Sequence, residues 1–208
     1  MKERPILFSG PMVRAILDGR KTQTRRVVKT TLRSESDGSK RRVLSLPRDL
    51  DVLNCYLSLR QANALHRFCP YGKPADKLWV RETFLRKQLA SEVTEWRYAA
   101  TDEKGLGPWK PSIFMPRWAS RITLEITEVR VQRLKDISEA DAIAEGVEAT
   151  SPPDLLRYRD YLPEREAIRS SWTYARDSFL SLWESINGTA SLAADPWVWA
   201  LTFKRVTP

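Results

Sequence analysis

The sequence predicts an α+β fold in which one domain, residues 1–208, is built on a small antiparallel β-barrel with flanking helices. Three observations lead there. Strand-like segments recur along the whole chain without the strand–helix alternation of a doubly wound sheet. Residues 121–131 (RITLEITEVRV) alternate apolar and polar side chains almost strictly, as a half-buried strand does. Helical signals are few, and most carry their own start or stop residues.

In chain order, residues 4–9 (RPILFS) read as a first strand that ends at Gly10-Pro11. Pro11 suits the first turn of a helix over 12–18, and Gly19 stops it. The polar string 20–26 (RKTQTRR) follows. Residues 30–42 are rich in Ser, Lys and Arg and are expected to be a mobile basic loop. A leucine-bearing helix is expected within 50–68, and 69–74 (CPYGKP) forms a turn. Residues 77–84 (KLWVRETF) and, more weakly, 96–100 read as strands, and Pro108, Pro111 and Pro116 mark an irregular crossing. After the long strand, Ser138 caps a helix running to about Glu145. Residues 171–186 form an amphipathic helix stopped by Asn187-Gly188, and 197–206 (WVWALTFKRV) close the fold as a strand. The stretches at about 28–70 and 150–170 stand out as insertions.

Composition narrows the function classes. No run approaches the ~18–20 apolar residues of a membrane span, and the apolar run after Met1 is too short for a signal peptide, so a cytoplasmic protein is expected. Two cysteines make no disulfide framework. The formal charge of +9 is concentrated: residues 1–48 hold 13 Lys and Arg against 4 Asp and Glu, while the remainder holds 22 of each. Such a field favours polyanions, although a solvated basic loop would look the same.

The chemistry is limited by the single histidine, His66. Cys55, His66 and Cys69 offer only three zinc ligands at an unusual spacing, so no metal and no cofactor are expected. Acid–base work then falls to Lys, Glu, Asp or Tyr. Lys21 lies among Arg20, Arg25 and Arg26, whose charge can depress its pKa, and Thr24 places a hydroxyl three residues on. A plain basic loop is the competing reading. Glu82, on the expected 77–84 strand, is a carboxylate candidate or a partner for Arg81 or Arg86. Eight tryptophans interleave with basic residues, and Trp118 beside Arg117 is the leading base-stacking candidate, whereas Trp183 reads as core.

Residues 16–26 (ILDGRKTQTRR) carry Gly-x-Lys-x-x-Thr-x-Arg as Gly19, Lys21, Thr24 and Arg26. This resembles the opening motif of the ASCH domain family, whose members share a PUA-like β-barrel. The segments 77–84, 121–131, 134–146 (LKDISEADAIAEG) and 197–206 resemble the family's later elements in order. The front and middle of the chain resemble a subgroup common in bacteriophages and prophages. Ala75-Asp76 departs from the family's Gly-Asp turn, and the two insertions have no counterpart in minimal members.

The resemblance implies an amidohydrolase of the N4-acetylcytidine type. Lys21 would be the base, Thr24 the nucleophile and Glu145 the proton donor, with Arg26 contacting ligand or orienting the carboxylate. Arg20, Arg25, Arg26, Arg81, Glu82, Arg117 and Trp118 would bind substrate or nucleic acid. The expected partner is RNA or a nucleoside. The alternatives are an RNA-binding module or ribonuclease without amidohydrolase activity, and an accessory protein working through protein contacts.

Overall fold

The computed structural model describes residues 1–28, 31–34, 40–43, 69–88, 94–102, 107–150, 157–162 and 171–206. Its centre is a five-stranded mixed sheet of β1 (Glu3–Leu7), β2 (Gln23–Val27), β5 (Lys77–Arg81), β8 (Thr123–Arg133) and β11 (Trp197–Val206), in the order β1-β5-β8-β11-β2. The antiparallel β8–β11 pair is the spine, with one register shift between Thr202 and Phe203. A shift of this kind bends a strand and strengthens its twist. β1 runs parallel to β5, so the sheet is mixed rather than antiparallel throughout.

The expected barrel does not close by backbone pairing among the described residues, since β1 and β2 are both edges. β1 stops at Leu7 because Ser9, Gly10 and Pro11 open α1 (Gly10–Leu17). Arg26 on β2 reaches across with its side chain instead, donating from Nη2 to the Leu7 carbonyl (2.8 Å). The result is a curled open sheet whose edges are joined by a guanidinium.

The inner face of the sheet packs with α1 around Ile6, Val13, Ile16, Leu78, Leu124, Ile126, Trp199 and Leu201. α1 presents Val13 and Ile16, three residues apart on one face, as its buried stripe. Truncating a fully buried residue such as Ile126 to Ala would cost roughly 2–5 kcal/mol. A second core lies under α2 (Glu139–Ala144) and α3 (Ala175–Asn187), where Phe179 and Trp183 meet Leu134, Ile137, Ala142 and Val198. Neighbouring β11 residues Val198 and Trp199 serve different cores because strand side chains alternate. The expected cap of α2 is present, Ser138 Oγ accepting from the Asp141 amide.

Several segments differ from expectation. The basic stretch read as a loop contains an antiparallel pair, β3 (Thr31–Ser34) with β4 (Lys40–Val43), which places Arg41 and Arg42 on a strand. Its polar composition hid the pairing, since a two-strand ladder draws on backbone groups that every side chain shares. The strand expected over 77–84 breaks at Glu82-Thr83 and resumes as β6 (Phe84–Gln88), paired with β7 (Thr94–Tyr98). The crossing rich in proline forms two 3₁₀ turns, Ser112–Phe114 and Arg117–Ala119. The last long helix begins at Ala175, because Ser171-Trp172 (β10) pair with Tyr158-Arg159 (β9). α4 (Thr189–Ala193) follows Gly188. The expected helix within 50–68, with Cys55 and His66, lies outside the described residues. No helix among the described residues is long and apolar enough to cross a membrane.

Candidate active site

Lys21 is held before β2 by three backbone bonds from different elements. Its amide donates to the Ala15 carbonyl (2.9 Å), that of Thr22 to Ala144 (2.8 Å), and the Phe203 amide donates to the Thr22 carbonyl (2.8 Å). Gly19, with φ of 75°, supplies the left-handed turn that ends α1 and starts this path. The Lys21 side chain is consequently enclosed, with only 3% of the residue exposed.

Its partner comes from the end of α2. Lys21 Nζ donates to Glu145 Oε2 (2.7 Å) and to the Glu145 carbonyl (2.7 Å). The other carboxylate oxygen, Oε1, accepts from Arg25 Nη1 (3.1 Å). Arg25 is fully enclosed as well. Its Nη2 donates to Asp141 Oδ2 (2.9 Å), its Nη1 to Gln23, and its guanidinium lies over the Phe179 ring at 5.5 Å. Gly146 makes the approach of α2 to Lys21 feasible. It has a φ of 86°, and a Cβ there would stand 2.9 Å from the Lys21 Cβ.

Burial is the main force lowering the Lys21 pKa below the usual lysine range; Glu145 opposes the shift, and Arg26 and Arg25 add to it. The sequence points to the same direction, and burial rather than neighbouring charge is the larger cause. Asp141 is affected in the other balance. Burial raises it, yet hydrogen bonds from Arg130 and Gln23 and the charges of Arg130 and Arg25 leave it below the ordinary carboxylate value.

Lys21, Thr24, Arg25, Arg26 and Glu145 line one cavity of about 380 Å³. That lies within the ~300–1,000 Å³ of small-molecule sites. The opposite wall is apolar and comes from α3, whose Phe179, Leu182, Trp183 and Ile186 recur at helical spacing. Thr24 and Arg26 share one face of β2, while Gln23 and Arg25 share the other. Only an edge strand can offer both faces to a single cavity, and β2 is an edge.

Thr24 is not hydrogen-bonded to Lys21. Its Oγ1 accepts from Arg26 Nη1 (2.8 Å), and Arg26 also lies over the Phe8 ring at 5.2 Å. The remaining sequence candidates sit elsewhere. Arg20 pairs with Asp18 (3.0 Å) at the surface. Glu82 is buried against Arg121 through two bonds of 2.9 and 3.0 Å, and it does not line the cavity. Arg81 covers the Trp79 ring at 4.7 Å. Arg117 pairs with Glu3 (2.9 Å), and Trp118, 68% exposed, meets the Trp96 ring edge-on at 4.8 Å. Trp183 is core, as expected, and it also lines the cavity.

The sequence reading missed Asp141, Gln23, Gly146 and the α3 wall. Asp141 had a signal, four residues before Glu145 on the same helical face, and Gly146 ended the quoted motif. The distance between residue 23 and residue 141 in the chain left Gln23 without one.

No family model matches this chain, and no curated protein matches it. One solved structure is similar, that of an Enterococcus faecalis protein under the family model DUF984, at 13% identity and a TM-score of 0.36. The match covers 99% of this chain and 80% of that one. A likeness of that size carries no argument about fold or function.

Proposed function

We propose that the protein is an amidohydrolase acting on an acylated exocyclic amine of a nucleoside or nucleobase, of the N4-acetylcytidine type, on an ASCH, PUA-like scaffold. The observation carrying this reading is the 2.7 Å contact of Lys21 Nζ with Glu145 Oε2 inside the cavity that Thr24 also lines. The curled sheet with joined edges is compatible with a PUA-like scaffold.

A buried lysine–carboxylate contact can exchange a proton internally, giving a neutral amine beside a carboxylic acid. Burial favours that neutral form, because desolvation penalises both charges. One proton transfer thus creates a base at Lys21 and an acid at Glu145. Thr24 Oγ attacks the acyl carbon and passes its proton to Lys21. Arg26 Nη1, already on Thr24 Oγ1, stabilises the oxygen as charge develops. The tetrahedral intermediate collapses as the C–N bond breaks, and Glu145 gives its proton to the departing amine. The Lys21 ammonium then returns its proton to Glu145; water attacks the acyl-threonine ester and gives its proton to Lys21, while Thr24 Oγ leaves with the Glu145 proton and the carboxylic acid is released. Reaction requires Thr24 to rotate toward Lys21, which substrate occupying the cavity would promote.

The test is incubation of the purified protein with N4-acetylcytidine and chromatography of the products. Wild type should release cytidine and acetate. Lys21→Ala and Glu145→Ala should each abolish turnover, with the double mutant no worse than either single one, as expected of residues acting as a unit. Hydrolysis surviving Lys21→Ala would overturn the mechanism.

A second reading, RNA binding without hydrolysis, draws on Trp118. An exposed indole packed edge-on against Trp96 and next to Arg117 presents one face for stacking on a base. Wild type that holds single-stranded RNA but leaves N4-acetylcytidine intact would favour it.

A further inference from the structure

The Lys21–Glu145 contact is the inner end of a line of side chains that alternate in charge. Lys21 meets Glu145, Glu145 meets Arg25, Arg25 meets Asp141, and Asp141 Oδ1 accepts from Arg130 Nη2 at 2.9 Å. Arg130 ends the line against Glu128, 3.3 Å from its Nε. Side-chain exposure climbs along it, from 2% at Lys21 and 0% at Arg25 to 16% at Asp141, 36% at Arg130 and 55% at Glu128. The line crosses four elements, the segment before β2, β2 itself, α2 and β8.

We propose that Asp141 and Arg130 are positioning residues, which through Arg25 hold the Glu145 carboxylate on Lys21 and set the pH range over which the pair exchanges its proton. This rests on the amidohydrolase reading for its kinetic consequence, though not for its electrostatic one. Arg25 is an enclosed cation on the second carboxylate oxygen, and its charge also acts on Lys21, lowering its pKa. Asp141 supplies the compensating charge, and Arg130 in turn moderates Asp141. Gln23 contributes dipoles only, donating to Asp141 Oδ1 (3.0 Å) and accepting from Arg25. The other charge facing Lys21 is Arg26 on β2; the Phe8 ring, just after β1, lies 5.7 Å from Lys21 Nζ, and α3 contributes the uncharged Phe179 ring, which lies against Arg25.

The signs make this testable. Removing the Asp141 charge leaves Arg25 uncompensated, so Lys21 should give up its proton at lower pH. Removing the Arg130 charge leaves Asp141 stronger, so Lys21 should hold its proton to higher pH, by less, because Arg130 is partly solvated.

The experiment uses the full-length protein and the variants Asp141→Asn and Arg130→Gln. Asparagine keeps the shape of Asp141 and its backbone amide bond to Ser138. The first readout is the NMR titration of the Lys21 side chain without substrate, assigned by its absence in Lys21→Ala. The second is the pH profile of kcat and KM for N4-acetylcytidine. Asp141→Asn should move the Lys21 titration and both limbs of the profile to lower pH by about one unit. At neutral pH kcat should fall about tenfold while KM changes less than about twofold. Arg130→Gln should shift the titration the opposite way and less. Opposite signs cannot come from general damage to the fold. A Lys21 titration unmoved by Asp141→Asn, or both variants shifting it in one direction, overturns the proposal. Wild type that fails to hydrolyse the substrate while the titrations shift in opposite directions sinks the amidohydrolase reading and leaves the ion line standing.

Discussion

Replacing Gly146 with alanine should damage both the stability and the Lys21–Glu145 geometry, and its cost can be worked from two contributions. The first is conformational. Gly146 has a φ of 86°, where an L side chain is strained by about 1–2 kcal/mol. The second is crowding. The new methyl would lie 2.9 Å from the Lys21 Cβ and 3.2 Å from the Ala15 Cβ. Both are stems anchored near the backbone, so α2 itself must move, and overpacking of this kind costs about 1–3 kcal/mol. Together they give roughly 2–5 kcal/mol, or a fall in Tm of about 4–20 °C for a domain of this size. Gly188→Ala and Gly19→Ala are the controls. They have φ of 81° and 75° but nothing within 4 Å of an added Cβ, so only the conformational contribution applies. Thermal unfolding followed by circular dichroism compares the three. Turnover of N4-acetylcytidine by Gly146→Ala should fall about 100-fold if α2 shifts Glu145 by an ångström or so. A Gly146→Ala melt no lower than those of the two controls would refute the close-approach argument.

Further outcomes follow from the same structure. Ala75 holds a φ of 71° in the turn before β5, where its amide still donates to the Ile126 carbonyl (2.8 Å), so Ala75→Gly should stabilise the protein by about 0.5–1 kcal/mol in denaturant titrations. Asp76, Asp102 and Asp141 all have folded-state pKa values below the ordinary carboxylate value. Their contribution to stability is full above about pH 4 and is lost as pH falls through the folded values, so urea midpoints should drop below pH 4 and drop less in Asp76→Asn. Lys21 acts in the same sense at alkaline pH, as a cost relieved rather than a gain acquired: with its folded value lowered, its burial cost persists below that value and is relieved as pH rises toward about 10.4, which Lys21→Met should remove from the alkaline limb of the stability curve. Trp118→Ala should weaken single-stranded RNA binding by about 1–3 kcal/mol in fluorescence anisotropy, and binding indifferent to salt would rule out the electrostatic half of that reading.

Local chemistry determined much of this protein from the sequence alone. The 197–206 strand, the Ser138 cap, the Gly19 stop and the alternation over 121–131 all appear in the structure, because each is decided within a few residues by φ, by a hydroxyl or by a period of two. The basic pair β3–β4 and the start of α3 were not legible, because ladder partners are chosen across the chain and not by composition. The site divides the same way. Lys21 and Thr24 stand out in the basic string and Glu145 follows only from the family resemblance, and all three line the cavity. Which partner each one holds was decided only in three dimensions. Thr24 bonds Arg26 rather than Lys21, Glu82 bonds Arg121, and Arg25 turned inward to Glu145 and Asp141 instead of outward. An enclosed charge must be matched by an opposite one at hydrogen-bond distance, and Asp141 and Glu145 lie more than a hundred residues from Arg25 in the chain, so only the tertiary structure decides the match.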